Sequence, residues 1–106
     1  MKQSFLFFYI TCPDQNAAES LSALLLQEKA AACINIIPGM KSLYWWENKI
    51  QSSEEVILIA KTTLLHKGKL VELVRKNHPY ETPCIAEIKI ESLNKEYEEW
   101  LLKSLN

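Results

Sequence analysis

Hydrophobic positions near the start of the chain change from a continuous run to a helical spacing. Residues 4–11 form an apolar, β-prone run typical of a strand that is covered on both faces. Pro13 then fixes a turn, and Asp14 is placed to cap a helix by accepting a backbone N–H. The apolar residues that follow recur at helical spacing through about Ala30, namely Ala17, Ala18, Leu21, Leu24 and Leu25. We therefore expect an amphipathic helix that covers one face of a sheet.

The middle of the chain predicts two strands joined by a tight hairpin. Residues 32–37 and 43–46 read as one long strand with a kink at Pro38. Residues 47–49 form the predicted turn, because asparagine tolerates the left-handed backbone conformation that such turns need. The return strand ends in the apolar run 56–61.

The last part of the chain predicts two helices separated by a strand. Thr62 or Thr63 is expected to cap the second helix, whose apolar period is carried by Leu70, Leu73 and Val74. Residues 78–83 contain two prolines and cannot be helical. Residues 85–90 alternate like a strand, and Asn94 is expected to cap a final helix that has Leu93, Tyr97, Trp100 and Leu101 on one face.

The order of these elements is βαββαβ followed by one added helix, which predicts an α+β fold of the ferredoxin-like split type. The chain has 106 residues, which suits one domain over residues 1–106. No internal repeat or linker interrupts it.

Composition and charge exclude several classes of protein. Hydrophobic residues make up 48% of the chain, which argues against disorder. Twelve basic residues nearly balance thirteen acidic ones without a basic block, so no nucleic-acid surface is expected. The apolar run 5–10 is too short to span a membrane. Cys12, Cys33 and Cys84 match neither a disulfide framework nor a zinc motif, so we expect free thiols in a reducing compartment.

The common catalytic motifs are absent from the sequence, and we expect no enzymatic activity. Gly39 and Gly68 are the only glycines, so a phosphate-binding glycine loop is not available. An acylphosphatase-like site needs an arginine beside a glycine-rich turn, whereas the single arginine, Arg75, falls on the second predicted helix.

Four residues invite a functional interpretation. His78 stands between a helix end and a rigid proline segment, and it is either a ligand or a histidine that interacts with the last carbonyls of the helix. Lys61 closes an apolar strand and must pair with a carboxylate or extend to solvent. Trp45 and Trp46 alternate on a strand, so one of them should face away from the domain core and mark a protein interface.

Five segments together resemble the signatures of the CutA family of divalent-ion tolerance proteins. They are Thr11-Cys12-Pro13-Asp14, residues 31–39, residues 42–47, Lys61-Thr62-Thr63 and residues 78–83. The resemblance covers nearly the whole chain in the right order. It implies a ferredoxin-like homotrimer in the cytoplasm, binding of copper and other divalent cations, and a shape like that of the PII signalling proteins.

The resemblance also implies two sets of site residues. The copper-binding histidine of the family falls on His78. A Cys12–His78 pair would suit copper, because thiolate favours Cu(I) and imidazole suits Cu(II), and Glu81 or a second subunit would complete the metal site. The alternative is a PII-like signalling or adaptor trimer that binds a small anionic ligand in a cleft between subunits. Its predicted lining is Lys61, Tyr80, Trp46 and Glu47, and both Glu47 and Glu81 are candidate partners of Lys61.

Overall fold

The computed structural model describes residues 4–106, and its frame is one four-stranded antiparallel sheet in the order β2-β3-β1-β4. The strands are β1 (Phe5–Cys12), β2 (Cys33–Trp46), β3 (Lys49–Thr63) and β4 (Ile85–Ile90). The helices are α1 (Gln15–Gln27), α2 (Lys67–Asn77) and α3 (Lys95–Leu105), and a short 3-10 turn, Leu64–His66, precedes α2. The predicted mixture and order of elements are therefore confirmed. Within residues 4–106, no helix has both the length and the apolar character that crossing a membrane requires.

Helices α1 and α2 bury one face of the sheet. Alternate β1 residues, Leu6, Phe8 and Ile10, are almost completely buried there against Leu25 of α1 and Leu70 of α2. A strand exposes successive side chains to opposite faces, so Phe5, Phe7 and Tyr9 point to the other side of the sheet. Helix α3 covers that side only at one end, where Leu101 and Leu105 pack on Phe5. The expectation that β1 is covered on both faces is thus correct only near its start.

The helix boundaries differ from the predictions where side chains find other partners. Asp14 caps α1 as predicted, since its Oδ1 accepts the N–H of Ala17 at 2.8 Å. The prediction that Thr62 or Thr63 caps the second helix was wrong. The Thr62 hydroxyl donates to the Ala30 carbonyl at 2.7 Å, and the Thr63 hydroxyl lies 2.8 Å from His66 Nδ1. Neither threonine side chain caps the helix that begins at Lys67.

The remaining helix ends also show small differences. Helix α1 stops at Gln27 rather than near Ala30, because Lys29 adopts a left-handed conformation with φ of 57°. Asn94 occupies the N-cap position of α3 as predicted, but its side chain does not cap the helix and instead donates to Glu96 Oε2 at 3.3 Å.

The β2–β3 hairpin extends well beyond the rest of the sheet. Its strands have 14 and 15 residues, against 8 in β1 and 6 in β4, and the molecule measures 48 × 25 × 22 Å. The register shifts between Ile37 and Met40, where Gly39 has φ of 79°, which confirms the predicted irregularity beside Pro38. Glu47 and Asn48 form the turn with φ of 49° and 63°, as the hairpin prediction requires.

Candidate functional site

A groove of about 920 Å³ lies between the β2–β3 hairpin and the segment after α2. One wall is formed by the hairpin and includes Tyr44, Trp46 and Glu55. The other wall is formed by residues 79–82 and Cys84, with Thr11 of β1 beside it. A groove of this size is in the range of small-molecule sites.

The hairpin wall follows from the two-residue period of a strand. Tyr44 pairs with Gln51, and Ser42 pairs with Ser53, so these side chains lie on one face of the hairpin. Trp46 continues that face, whereas Trp45 points to the opposite side. The predicted alternation of the two tryptophans therefore holds. Neither tryptophan packs in the domain core, since Trp45 is 72% exposed and Trp46 is 62% exposed. Both stand beyond the helices that cover the sheet.

His78 fixes the second wall of the groove. Its ring is buried; Nε2 lies 2.7 Å from the carbonyl oxygen of Thr11, and Nδ1 accepts the backbone N–H of Tyr80 at 3.1 Å. This pattern requires the neutral ring with its proton on Nε2. The backbone N–H of His78 also donates to the Val74 carbonyl at 2.8 Å, so it closes the last turn of α2. His78 thus ties the proline segment to the end of β1.

Tyr80 connects that segment to the hairpin. Its hydroxyl donates to Glu55 Oε2 at 2.8 Å, and its ring centroid lies 4.9 Å from that of His78. Burial, together with the hydrogen bond to the charged Glu55, raises the pKa of the Tyr80 phenol. The phenol therefore remains a hydrogen-bond donor throughout the physiological range.

The three cysteines have different surroundings. Cys12 is 1% exposed, and burial, assisted by the negative charges of Glu55 and Asp14, raises the pKa of its thiol to about 11. Cys84 is exposed beside the groove, and Cys33 is half-buried in β2. All three are free thiols.

The residues predicted to bind metal do not form a ready-made site within one chain. Both ring nitrogens of His78 already bind backbone groups, and Cys12 is a buried neutral thiol rather than a thiolate. Glu81 is exposed on the groove wall. In the part of the chain that the structure describes, no three His, Cys, Asp or Glu side chains group as metal ligands would. The Cys12–His78 copper pair stays a prediction, and the raised pKa of Cys12 works against it, because the thiol must lose its proton before it binds a metal ion.

The predicted ligand cleft is only partly assembled. Tyr80 and Trp46 line the groove, but Glu47 lies in the exposed hairpin turn. Lys61 lies elsewhere: its Nζ is 3.3 Å from the Tyr97 hydroxyl and 5.3 Å from the Phe7 and Tyr97 ring centroids. Among residues 4–106 it makes no ion pair with Glu47 or Glu81, because the aromatic side chains hold its ammonium group.

Sequence reasoning missed Glu55, Tyr44 and the two serines of the hairpin wall. Residues 43–46 are all apolar and residues 51–55 are all polar, so no two-residue alternation marks this face in the sequence.

Comparison with known proteins gives a consistent result. The family model described as "CutA1 divalent ion tolerance protein" matches residues 6–104. The rice protein "Protein CutA 1, chloroplastic" is 42% identical over 96 residues, which are 91% of this chain and 54% of that protein, so this chain spans about half of its length. An Escherichia coli "Divalent-cation tolerance protein CutA" is 42% identical over 95 residues, 90% of this chain and 85% of that protein. A solved structure, the "Periplasmic divalent cation tolerance protein CutA" from Archaeoglobus fulgidus, superposes with a TM-score of 0.92 at 39% identity, and the match covers 96% of this chain and 99% of that one.

Proposed function

The chain belongs to the CutA1 divalent ion tolerance protein family, and from this membership we propose that it is a homotrimer that binds divalent cations, copper among them, and supports tolerance of these ions. The observation that carries the proposal is the family match over residues 6–104. The element order and the strand order β2-β3-β1-β4 support a ferredoxin-like topology for each subunit.

Apolar surface on the hairpin supports the trimer. Leu43, Trp45 and Ile50 are 69%, 72% and 65% exposed, and the register places them on one face of the hairpin. Ile37 and Ile88, on the side of the sheet that α3 leaves open, are also exposed. Apolar surface of this extent is typical of a permanent subunit interface. Sedimentation equilibrium tests this point, and a monomer mass at micromolar concentration would contradict it.

The geometry of His78 fits weak metal binding better than tight binding. A metal ion at the ring must replace one of its two hydrogen bonds, each with a net stabilisation of about 1 kcal/mol. A micromolar metal site releases about 8 kcal/mol, so this loss weakens binding without preventing it. We propose His78 as the essential imidazole, with Glu81 or a second subunit supplying further ligands. Cys12 contributes least, because its thiol must first lose a strongly held proton.

A copper titration by calorimetry tests the role of His78. The chain has two histidines, so His66→Ala is a matched control that removes the other imidazole. We expect His78→Ala to lose about tenfold or more in Cu(II) affinity and His66→Ala to keep it. Electron paramagnetic resonance of the Cu(II) complex should show nitrogen coordination in His66→Ala and none in His78→Ala. Equal affinity in wild type and His78→Ala would remove His78 from the site.

We further propose that the protein acts by binding rather than by catalysis, in the cytoplasm. Its free cysteines are compatible with a reducing compartment, although the names of two relatives place those proteins in the chloroplast and the periplasm. The groove supports a second candidate, a PII-like trimer that binds a small ligand. The acidic side chains of the groove argue against the anionic ligand expected from the sequence.

A further inference from the structure

The groove has aromatic side chains on both walls and a carboxylate on each. Tyr44 and Trp46 stand on the hairpin wall with Glu55, and Tyr80 and Glu81 stand on the opposite wall. Aromatic faces carry partial negative charge, and tryptophan attracts cations most strongly. The aromatic faces and the two carboxylates of the groove therefore all favour a positively charged ligand.

Among residues 4–106, the side chains that line the groove include no cation to balance this charge. Within the described residues 4–106, no lysine, arginine or histidine lines the groove, and neither Glu55 nor Glu81 takes part in an ion pair. The Tyr80 hydroxyl donates a hydrogen bond to Glu55, which orients the carboxylate but leaves its charge in place. Serine, threonine and glutamine side chains supply the remaining polar atoms.

From this combination we propose that the groove binds a small organic cation, with an ammonium group held between the two carboxylates and against the aromatic side chains. The groove volume of about 920 Å³ suits an aromatic or branched amine rather than a bare ion. A bare divalent ion requires several grouped oxygen, nitrogen or sulfur ligands, and no such group of three side chains is found among residues 4–106. The proposal is therefore separate from copper binding at His78.

Tryptophan fluorescence and calorimetry on the assembled full-length protein test this proposal with benzyltrimethylammonium as the probe. We expect saturable binding of this cation and none of 3-phenylpropionate, an anion of similar size. Trp46→Ala and Glu81→Gln should each weaken binding by about fivefold or more, the range expected from losing a cation–π contact or a nearby charge. Glu81 is exposed, so Glu81→Gln should leave the fold intact. Trp100→Ala, an exposed tryptophan of α3 that does not line the groove, is the control that should bind like wild type.

Three results would overturn the proposal: equal binding of the anion, wild-type affinity in both Trp46→Ala and Glu81→Gln, or no saturable binding of the cation. The last result is also expected if a neighbouring subunit fills the groove. Copper titration of the same samples separates the two proposals, because lost amine binding with retained copper binding rejects the organic-cation site alone.

Discussion

The buried thiol of Cys12 makes the stability of the protein sensitive to alkaline pH. Its pKa is raised from 9.0 to about 11 in the folded chain. Between these two values an unfolded chain has lost the proton while the folded chain still holds it. The folded state then binds more protons, so the free energy of unfolding must fall as pH rises. The stabilisation is fully present below pH 9 and is lost as pH passes through 11.

The size of this effect follows from the shift in pKa. Each unit of pKa difference is worth about 1.4 kcal/mol, so a shift of about two units corresponds to at most about 3 kcal/mol of lost stability. This is a substantial part of the free energy of unfolding of a typical domain, which is about 5–15 kcal/mol.

Urea unfolding at constant protein concentration, under reducing conditions and at several pH values from 8 to 11, measures the effect. Tyr80 also has a raised pKa and contributes in the upper part of this range, so the test is the difference between wild type and Cys12→Ala. Cys12→Ala should be less stable at pH 8 but lose less stability with rising pH. Cys84→Ala, which removes an exposed thiol, should behave like wild type. Parallel curves for wild type and Cys12→Ala would refute the reasoning.

Two further predictions concern the groove and the interface. Tyr80→Phe removes the hydrogen bond to Glu55 and should destabilise the protein by about 1–2 kcal/mol in thermal or urea unfolding. Tyr9→Phe is its control, because the Tyr9 hydroxyl donates only to the weak acceptor sulfur of Met40, and it should cost clearly less. Trp45→Ala should dissociate the trimer at lower urea concentration than wild type when followed by native mass spectrometry, since this side chain is 72% exposed in one chain. An unchanged trimer would show that Trp45 lies outside the interface.

The sequence predicted the elements whose signals are local. The β-prone run of β1, the turn at Glu47 and Asn48, and the Asp14 cap each depend on residues within a few positions of one another. The prediction of a threonine cap failed for the opposite reason. The Thr62 hydroxyl donates to the Ala30 carbonyl, 32 positions earlier, and no pattern around residues 62–63 reveals this contact.

The site depended on contacts of still longer range. The proline after His78 marks this residue as a candidate, but nothing near it in the sequence reveals its partner, the Thr11 carbonyl, 67 positions earlier. The sequence predicts that Lys61 pairs with a carboxylate or extends to solvent, whereas its ammonium group lies against Tyr97, 36 positions later. Charge alone suggested a glutamate partner. Only the packing of α3 on the sheet places an aromatic hydroxyl there instead.

The two hydrogen bonds of the His78 ring link metal binding at this residue to ligand binding in the groove. The ring positions Tyr80 through its Nδ1 atom and binds the end of β1 through Nε2, so a metal ion at either nitrogen removes one support of the groove wall. Tyr80 in turn orients Glu55, which lies on the other wall. A ligand that holds Tyr80 and Glu55 in place therefore favours the hydrogen-bonded form of His78 and opposes metal binding. By linkage, metal binding must lower the affinity of the groove for its ligand by the same factor. Because the coupling rests on one hydrogen bond worth about 1 kcal/mol, each ligand would weaken the binding of the other by about fivefold at most.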